Sequence, residues 1–386
     1  MPDEAALMSA ARESAATAGA FGADLYPLLA QDGANTVFSP LSVASALWMA
    51  WCGARGQTAA ELARALHLNG SADAAMDGLR SVSALLGETV ARGLVTFRAP
   101  NTAWVQSGLP VRPEFTTLLS DAGARFADAD FARAPELARD EINRLIAEQT
   151  EGKITGLLPP DSIGPLTRLV LANAVYLKAA WTDPFPAAQT SDALFYPDGP
   201  DRPGLTARMM RGTAARAYLR GDGYQAVLLP YAGGTLAMAV IVPDGALAAL
   251  RPAIAARGLG GMLAGTARHQ VTLVIPRFRA EASFGLIPAL RQLGVKEAFG
   301  DGADFSGITE AEQLRIGAVA HKAYIDVDEQ GTEAAAATAV VMVAAAALRP
   351  LPPVTMVVDR PFLFAIVHTA TGLPLFLGQL SRPGSS

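Results

Sequence analysis

Few residues in this chain could carry chemistry on their own. Among 386 residues there are four histidines, His67, His269, His321 and His368, and one cysteine, Cys52. No two histidines stand three or four positions apart, the spacing that sets two imidazoles on one helix face, so no metal site is indicated. A lone cysteine makes neither a disulfide nor a thiolate cluster. No GxSxG elbow, HExxH helix, Walker loop or GxGxxG turn occurs, so no nucleophile, zinc hydrolase or nucleotide cradle is nominated. Cys52 sits in the apolar run LSVASALWMAWCGA and reads as core. His321 lies on the apolar side of an alternating segment, where a hydrogen-bonded buried imidazole is expected rather than a base. On these residues alone an enzyme stays open but nothing nominates one, and neither a metal nor a cofactor is expected.

The segment that carries His321 leads into the most unusual stretch of the chain. Val319, His321, Ala323, Ile325 and Val327 alternate with Ala320, Lys322, Tyr324, Asp326 and Asp328, which predicts a strand with one apolar face. Glu329, Gln330, Gly331, Thr332 and Glu333 follow, then an alanine-rich tract, with no Asn-Gly pair to close a hairpin. The tract is locally contradictory. Its alanines favour helix, whereas Val340, Val341 and Val343 are β-branched and favour strand. Its small side chains would obstruct little if it slid between two strands; a buried alanine-rich helix is the alternative. At about 15 residues before Arg349, it is shorter than the roughly 20 a membrane span needs.

Bulk composition bounds the rest. The chain is 51% hydrophobic and 17% charged with a net charge of −5, and its mean hydropathy is +0.26. It can bury a large core and is not a disordered sequence. The 31 basic residues form no run, so neither nucleic acid nor membrane is an expected partner. The most basic stretch, between Arg208 and Arg220, reads as a solvated strand face, with a weak polyanion site as the lesser alternative. The opening MPDEAALMSAARES has no basic n-region or apolar h-region and does not read as a signal peptide. By sequence the protein is therefore expected inside the cell, unless an export signal has been removed.

Periodicity predicts helices over 4–30, 41–54, 58–68, 72–90, 113–121, 135–150, 246–263 and 284–293. Strands are predicted near 35–40, 94–106, 125–131, 166–178, 207–219, 225–231, 236–242, 270–278, 362–368 and 375–380. The run at 166–178 is too continuously apolar to be half-exposed, so it is placed at the centre of a sheet. Residues 184–203 read as a Pro/Asp/Gly-rich connection, and no linker divides the chain, which predicts one mixed α+β domain over 1–386.

These residues together resemble the serpins. Asn35-Thr36-Val37-Phe38-Ser39-Pro40-Leu41-Ser42 is similar to the family's short strand entering its second helix. Ile142-Asn143 with Thr150-Glu151-Gly152-Lys153-Ile154 resembles the helix over the main sheet, although Leu145 stands where Trp is frequent. Asn173-Ala174-Val175-Tyr176-Leu177-Lys178 with Trp181 and Pro184-Phe185 resembles the central strand. His321-Lys322-Ala323, the run from Asp328 to Ala336, Pro361-Phe362-Leu363-Phe364 and Leu377-Gly378-Gln379 complete the likeness. The resemblance implies three β-sheets, eight to nine helices and an exposed reactive-centre loop over about 331–353. It implies a monomeric suicide inhibitor of a serine protease, whose loop is acylated and then inserts into the main sheet; a non-inhibitory binding or chaperone module is the alternative. It also allows an extracellular setting.

The resemblance assigns the hinge to Glu329, Gly331, Thr332, Glu333, Ala334, Ala335, Ala336 and Ala337. It assigns a polar cluster below the opening of the sheet to Ser39, Ser42, Asn173 and His321, and the entrance of the gap to Trp181. Alternation along an inserted tract would put Thr332, Ala334, Ala336, Thr338, Val340 and Met342 on one face and Glu333 on the other, where it need not be buried. Burying Val340 and Met342 would contribute roughly 1.5–3 kcal/mol each. Counting from the hinge places the reactive bond at Ala345–Ala346. A small acyl residue suits an elastase-like target, with a chymotrypsin-like cut after Leu348 as second choice.

Overall fold

The helix after Ser39 begins as its residue types require. Ser39 is in an extended conformation and its Oγ accepts from Ser42 N at 3.1 Å, while Pro40 occupies the first turn, where its missing N–H costs nothing. In the computed structural model, which describes residues 4–121, 125–333 and 353–384, this helix is the buried axis of the molecule.

In chain order the elements begin with α1 (Glu4–Leu29), β1 (Thr36–Phe38), α2 (Pro40–Gly53), α3 (Gly56–Ala65) and α4 (Ala72–Ala91). Next come β2 (Val95–Arg98), β3 (Asn101–Gln106), α5 (Pro113–Asp121), β4 (Arg125–Ala129), α6 (Pro135–Gln149) and β5 (Leu169–Ala180). A strand-rich half follows: β6 (Ser191–Phe195), β7 (Leu205–Arg220), β8 (Tyr224–Pro230), β9 (Leu236–Pro243), α7 (Arg251–Leu263), β10 (Ala267–Pro276) and β11 (Phe278–Gly285). The chain closes with α8 (Ile287–Gln292), β12 (Ile316–Val327), β13 (Gly331–Thr332), β14 (Pro353–Val357), β15 (Phe362–His368) and β16 (Pro374–Leu380).

Eight α-helices and two hydrogen-bonded sheets are present among the described residues. The seven-stranded sheet runs β11-β12-β13-β5-β3-β4, with β2 also on β5. The nine-stranded sheet runs β1-β16-β15-β9-β8-β7-β10-β14, with β6 on β7. The implied second and third sheets are joined into this one, because β7 is long enough to pair with β6 at one end and β8 at the other. The main core fills the space around α1 and α2 between the sheets, and a smaller one lies between α6 and the outer face of the seven-stranded sheet. No helix of the described residues is long and apolar enough to cross a membrane.

Several local expectations need correction. The helix at 58–68 stops at Ala65: His67 takes a left-handed φ of 55°, and Leu68 N reaches back to Ala63 O at 2.8 Å, reversing the chain before Asn69-Gly70. The connection at 184–203 contains strand β6. The helix expected at 246–263 begins at Arg251 after a short 3-10 turn and breaks at Gly258, whose φ of 60° leaves the helical region. Phe284 and Gly285 belong to β11, not to a helix. Its Arg279, Glu281 and Ser283 are poor strand formers, but pairing along β12 overrides propensity. Arg216 is not on a solvated face: it is 3% exposed, donates to Gly212 O and Val271 O at 3.2 and 3.1 Å, and lies over the Phe185 ring.

Candidate functional site

β5 and β12 run parallel side by side, paired from Leu169↔Ile316 up to Tyr176↔Tyr324. Above that point they part, and β13 fills the fork. Thr332 and Gly331 pair antiparallel with Ala179 and Ala180 of β5, and Thr332 pairs with Val327 of β12. The chain therefore does turn back after β12. Asp328 makes the turn, its Oδ1 accepting from Gln330 N at 2.7 Å and Gly331 N at 3.1 Å, so the side chain replaces the expected Asn-Gly signal. Only glycine fits at 331, where an added Cβ would overlap the Ala179 carbonyl and Ala180 Cα.

The described hinge residues are held by specific partners. Thr332 is fully buried, and its Oγ1 lies 2.6 Å from the hydroxyl of Tyr231. Tyr231 stacks on Trp181 with ring centroids 4.5 Å apart. Trp181 in turn donates from Nε1 to Asp328 O at 3.0 Å and from its backbone N to Gln330 O at 2.8 Å, so it clamps the turn. Glu329 is 3% exposed; Arg277 donates from Nη2 at 2.5 Å and Nε at 2.8 Å, and Thr190 Oγ1 donates at 2.5 Å. Burial alone would push the Glu329 carboxyl up, but hydrogen bonds from Arg277 and Thr190 outweigh it and hold the group below the usual range.

Glu333 lies on the face of the sheet opposite Thr332, and it is nonetheless covered. Its side chain is only 9% exposed and lies under the stretch that follows α6, accepting from Lys153 Nζ and Tyr176 OH at 2.9 Å each. Burial raises its carboxyl, but these bonds, with one from Tyr324, lower it further than burial lifts it. Its φ of 48° is left-handed, a conformation costly for a glutamate, and this residue ends β13.

Lower in the same seam, the structure brings Ser39, Ser42, Asn173 and His321 together. His321 and Asn173 are register partners on β12 and β5, and Asn101 of β3 is the register partner of Asn173 on its other side. Ser39 N donates to His321 Nε2 at 3.0 Å, so the ring proton sits on Nδ1 and is donated to Asn173 Oδ1. Asn173 Nδ2 donates to Ser42 O at 2.9 Å and to Ser42 Oγ, and Ser42 Oγ donates to Asn101 Oδ1 at 2.9 Å. Three strands and the mouth of α2 thus share one buried hydrogen-bonded ring of groups. Any separation of β12 from β5 must break the bond from His321 to Asn173.

Burial pushes the imidazole of His321 down to about 3. Because the unfolded chain takes up this proton near pH 6.5 and the folded one does not, the contribution is present above that pH and lost below it. Between about pH 6 and pH 4 the wild type should lose roughly 1.4 kcal/mol per pH unit relative to a His321→Gln variant. Urea-unfolding midpoints of the two proteins across that range measure the difference; parallel pH profiles would show that His321 is not buried neutral.

Asn101, Tyr231, Arg277 and Thr190 had no local signal in the sequence, since each reaches the site through strand register or a long connection. Lys153 and Tyr176 were visible only as parts of motifs. Ala334, Ala335, Ala336 and Ala337 of the hinge, and the Ala345–Ala346 bond, lie outside the described residues.

A family model described as Serpin (serine protease inhibitor) matches residues 16–383. An uncharacterised serpin-like protein of Thermococcus kodakarensis is 38% identical over 94% of this chain and 84% of its own length. The leukocyte elastase inhibitor of Bos taurus is 34% identical over 94% of this chain and 97% of its own. The crystal structure of Serpin48 from the insect Tenebrio molitor superimposes with a TM-score of 0.81 at 28% identity, covering 100% of each chain.

Proposed function

Since the chain belongs to the serpin family, we propose that it inhibits an elastase-like serine protease as a suicide substrate, one inhibitor to one enzyme. The protease serine Oγ attacks the carbonyl carbon of Ala345, and the bond to Ala346 N breaks. The new amine leaves with a proton, and the ester to Ala345 remains. Insertion of the freed tract between β5 and β12 then carries the ester away before water can hydrolyse it.

One observation carries this reading: Gly331 and Thr332 already occupy the fork between β5 and β12, while those strands pair directly below it. The residues that come next in sequence, Ala334 to Ala337, are small. Each residue that enters exchanges the β5–β12 ladder for bonds on both its sides. The elastase-like target rests on the small residue Ala345 and on the bovine relative's name.

A second reading, a non-inhibitory binding module, draws on Glu333. For insertion to proceed, this residue must leave its left-handed conformation and give up Lys153 and Tyr176. If that catch never releases, the loop is merely cut. Incubation with pancreatic elastase decides between them. An SDS-resistant complex with the summed mass of one inhibitor and one enzyme is expected; complete conversion to a cleaved chain with free, active elastase would sink the inhibitory reading.

A further inference from the structure

Away from the hinge, a cavity of about 760 Å³ is bordered by α2, α4, β2, β3 and the end of α6. Small-molecule sites fall at roughly 300–1,000 Å³. Leu79, Val82, Ser83, Leu86, Gly87 and Val90 of α4 all border it. They recur every three or four residues, so one face of α4 lines the cavity over about three turns, or about 16 Å at 1.5 Å per residue. Phe97 and Pro100, both half-buried, add to the apolar wall. Gly87 is exposed and lies inside the helix, where glycine is the poorest former after proline. Its backbone is not left-handed, and a Cβ there would meet no atom within 4 Å. Neither conformation nor close packing calls for glycine at this position; its missing side chain keeps the mouth of the trench clear.

Charges at the rim select the ligand. Arg98 is paired with Glu151 at 3.7 Å, and Glu148 with Arg144 at 2.6 Å. Arg125 also borders the cavity, exposed at the start of β4 and in register with Thr102 of β3. It has no carboxylate partner among the described residues. The rim thus carries one uncompensated guanidinium beside an elongated apolar trench, and a guanidinium fork matches a carboxylate. An extended alkyl chain of about twelve carbons has the length of the trench. We propose that this cavity binds a straight-chain carboxylate of that size, its tail along α4 and its carboxylate on Arg125. The site is separate from the hinge and does not depend on how the protein acts on a protease.

Calorimetric titration with octanoate, decanoate and dodecanoate, each below its micelle-forming concentration, reads the tail. Each added CH₂ should strengthen binding about fourfold. Dodecyltrimethylammonium has the same tail and the opposite charge. The net charge of −5 favours this cation at long range, so a preference of about tenfold or more for dodecanoate reports the rim guanidinium. In Arg125→Gln that preference should vanish. Gly87→Phe improves helix propensity and has open space at its Cβ, so it should fold, fill the trench and abolish dodecanoate binding. Ser83→Phe repeats the test from the preceding turn. Equal or tighter binding of the cation by the wild type, a preference that survives Arg125→Gln, affinity independent of chain length, undiminished binding in both Phe variants, or no binding at millimolar dodecanoate would each overturn the proposal.

Discussion

Thr332→Arg should turn the inhibitor into a substrate. Thr332 is the last residue paired in the fork, fully buried and bonded to Tyr231. In the intact molecule an arginine has an escape: β13 can leave the fork, giving up the Tyr231 hydroxyl and a short ladder at a cost of about 1 kcal/mol. During insertion it has none, because this position must enter first, and a guanidinium would be buried beside Tyr231 with no anion. An unpaired buried charge costs about 3–5 kcal/mol, which slows entry on the order of a hundredfold or more while hydrolysis of the ester continues unchanged. The expected result is loss of the SDS-resistant complex with loop cleavage at an undiminished rate. Melting gives a second readout. Insertion of the severed wild-type loop should raise its melting temperature on the order of 10 °C from the burial of Val340 and Met342 alone, and severed Thr332→Arg should show no such rise. Thr332→Ser, which keeps the hydroxyl, should behave as wild type. Retention of the complex in Thr332→Arg would mean that the tract does not enter through this fork.

The parts of the fold that were legible in the sequence are those where side-chain type and period agree. β5 and β12 are continuous or alternating apolar runs rich in Val, Leu and Ile, and they stand where periodicity placed them. The start of α2 was legible because Ser39 and Pro40 each have one physical use there. What escaped was set by distant partners. β11 and β14 contain Arg, Glu and Pro, and are strands only because β12 and β10 offer them an edge. Asn101 enters the buried ring through its register opposite Asn173, which no local pattern encodes. The burial of Glu333 was not legible either, because Lys153 and Tyr176, which hold its carboxylate on the face opposite Thr332, come from distant segments.

Arg277→Ala should destabilise the intact molecule by about 3 kcal/mol at pH 7, the low end for a charge left buried without its partner. The side chain of Glu329 is 4% exposed, whereas that of Arg277 is 40% exposed, so the two halves of the pair are not equivalent. Without Arg277, the carboxylate keeps the Thr190 hydroxyl and its own backbone N–H but no cation, and must stay charged in a poor environment or take up a proton. Without the carboxylate, Arg277 can turn to water, so Glu329→Gln should cost less, about 1 kcal/mol. The pH dependence separates the two effects. In the wild type Glu329 titrates below its usual range, so its stabilisation is present at neutral pH and lost as pH falls through that lowered value. In Arg277→Ala burial is opposed only by the Thr190 and backbone N–H hydrogen bonds and the carboxyl titrates higher, so the deficit is largest at pH 7 and shrinks by pH 4.5. Urea-unfolding midpoints of the three proteins at both pH values measure this. A deficit that is the same at pH 7 and pH 4.5 would show that Arg277 matters for packing rather than for the charge it balances. In that case the hinge would be held by Trp181, Tyr231 and the Asp328 turn, with the ion pair beside them contributing little.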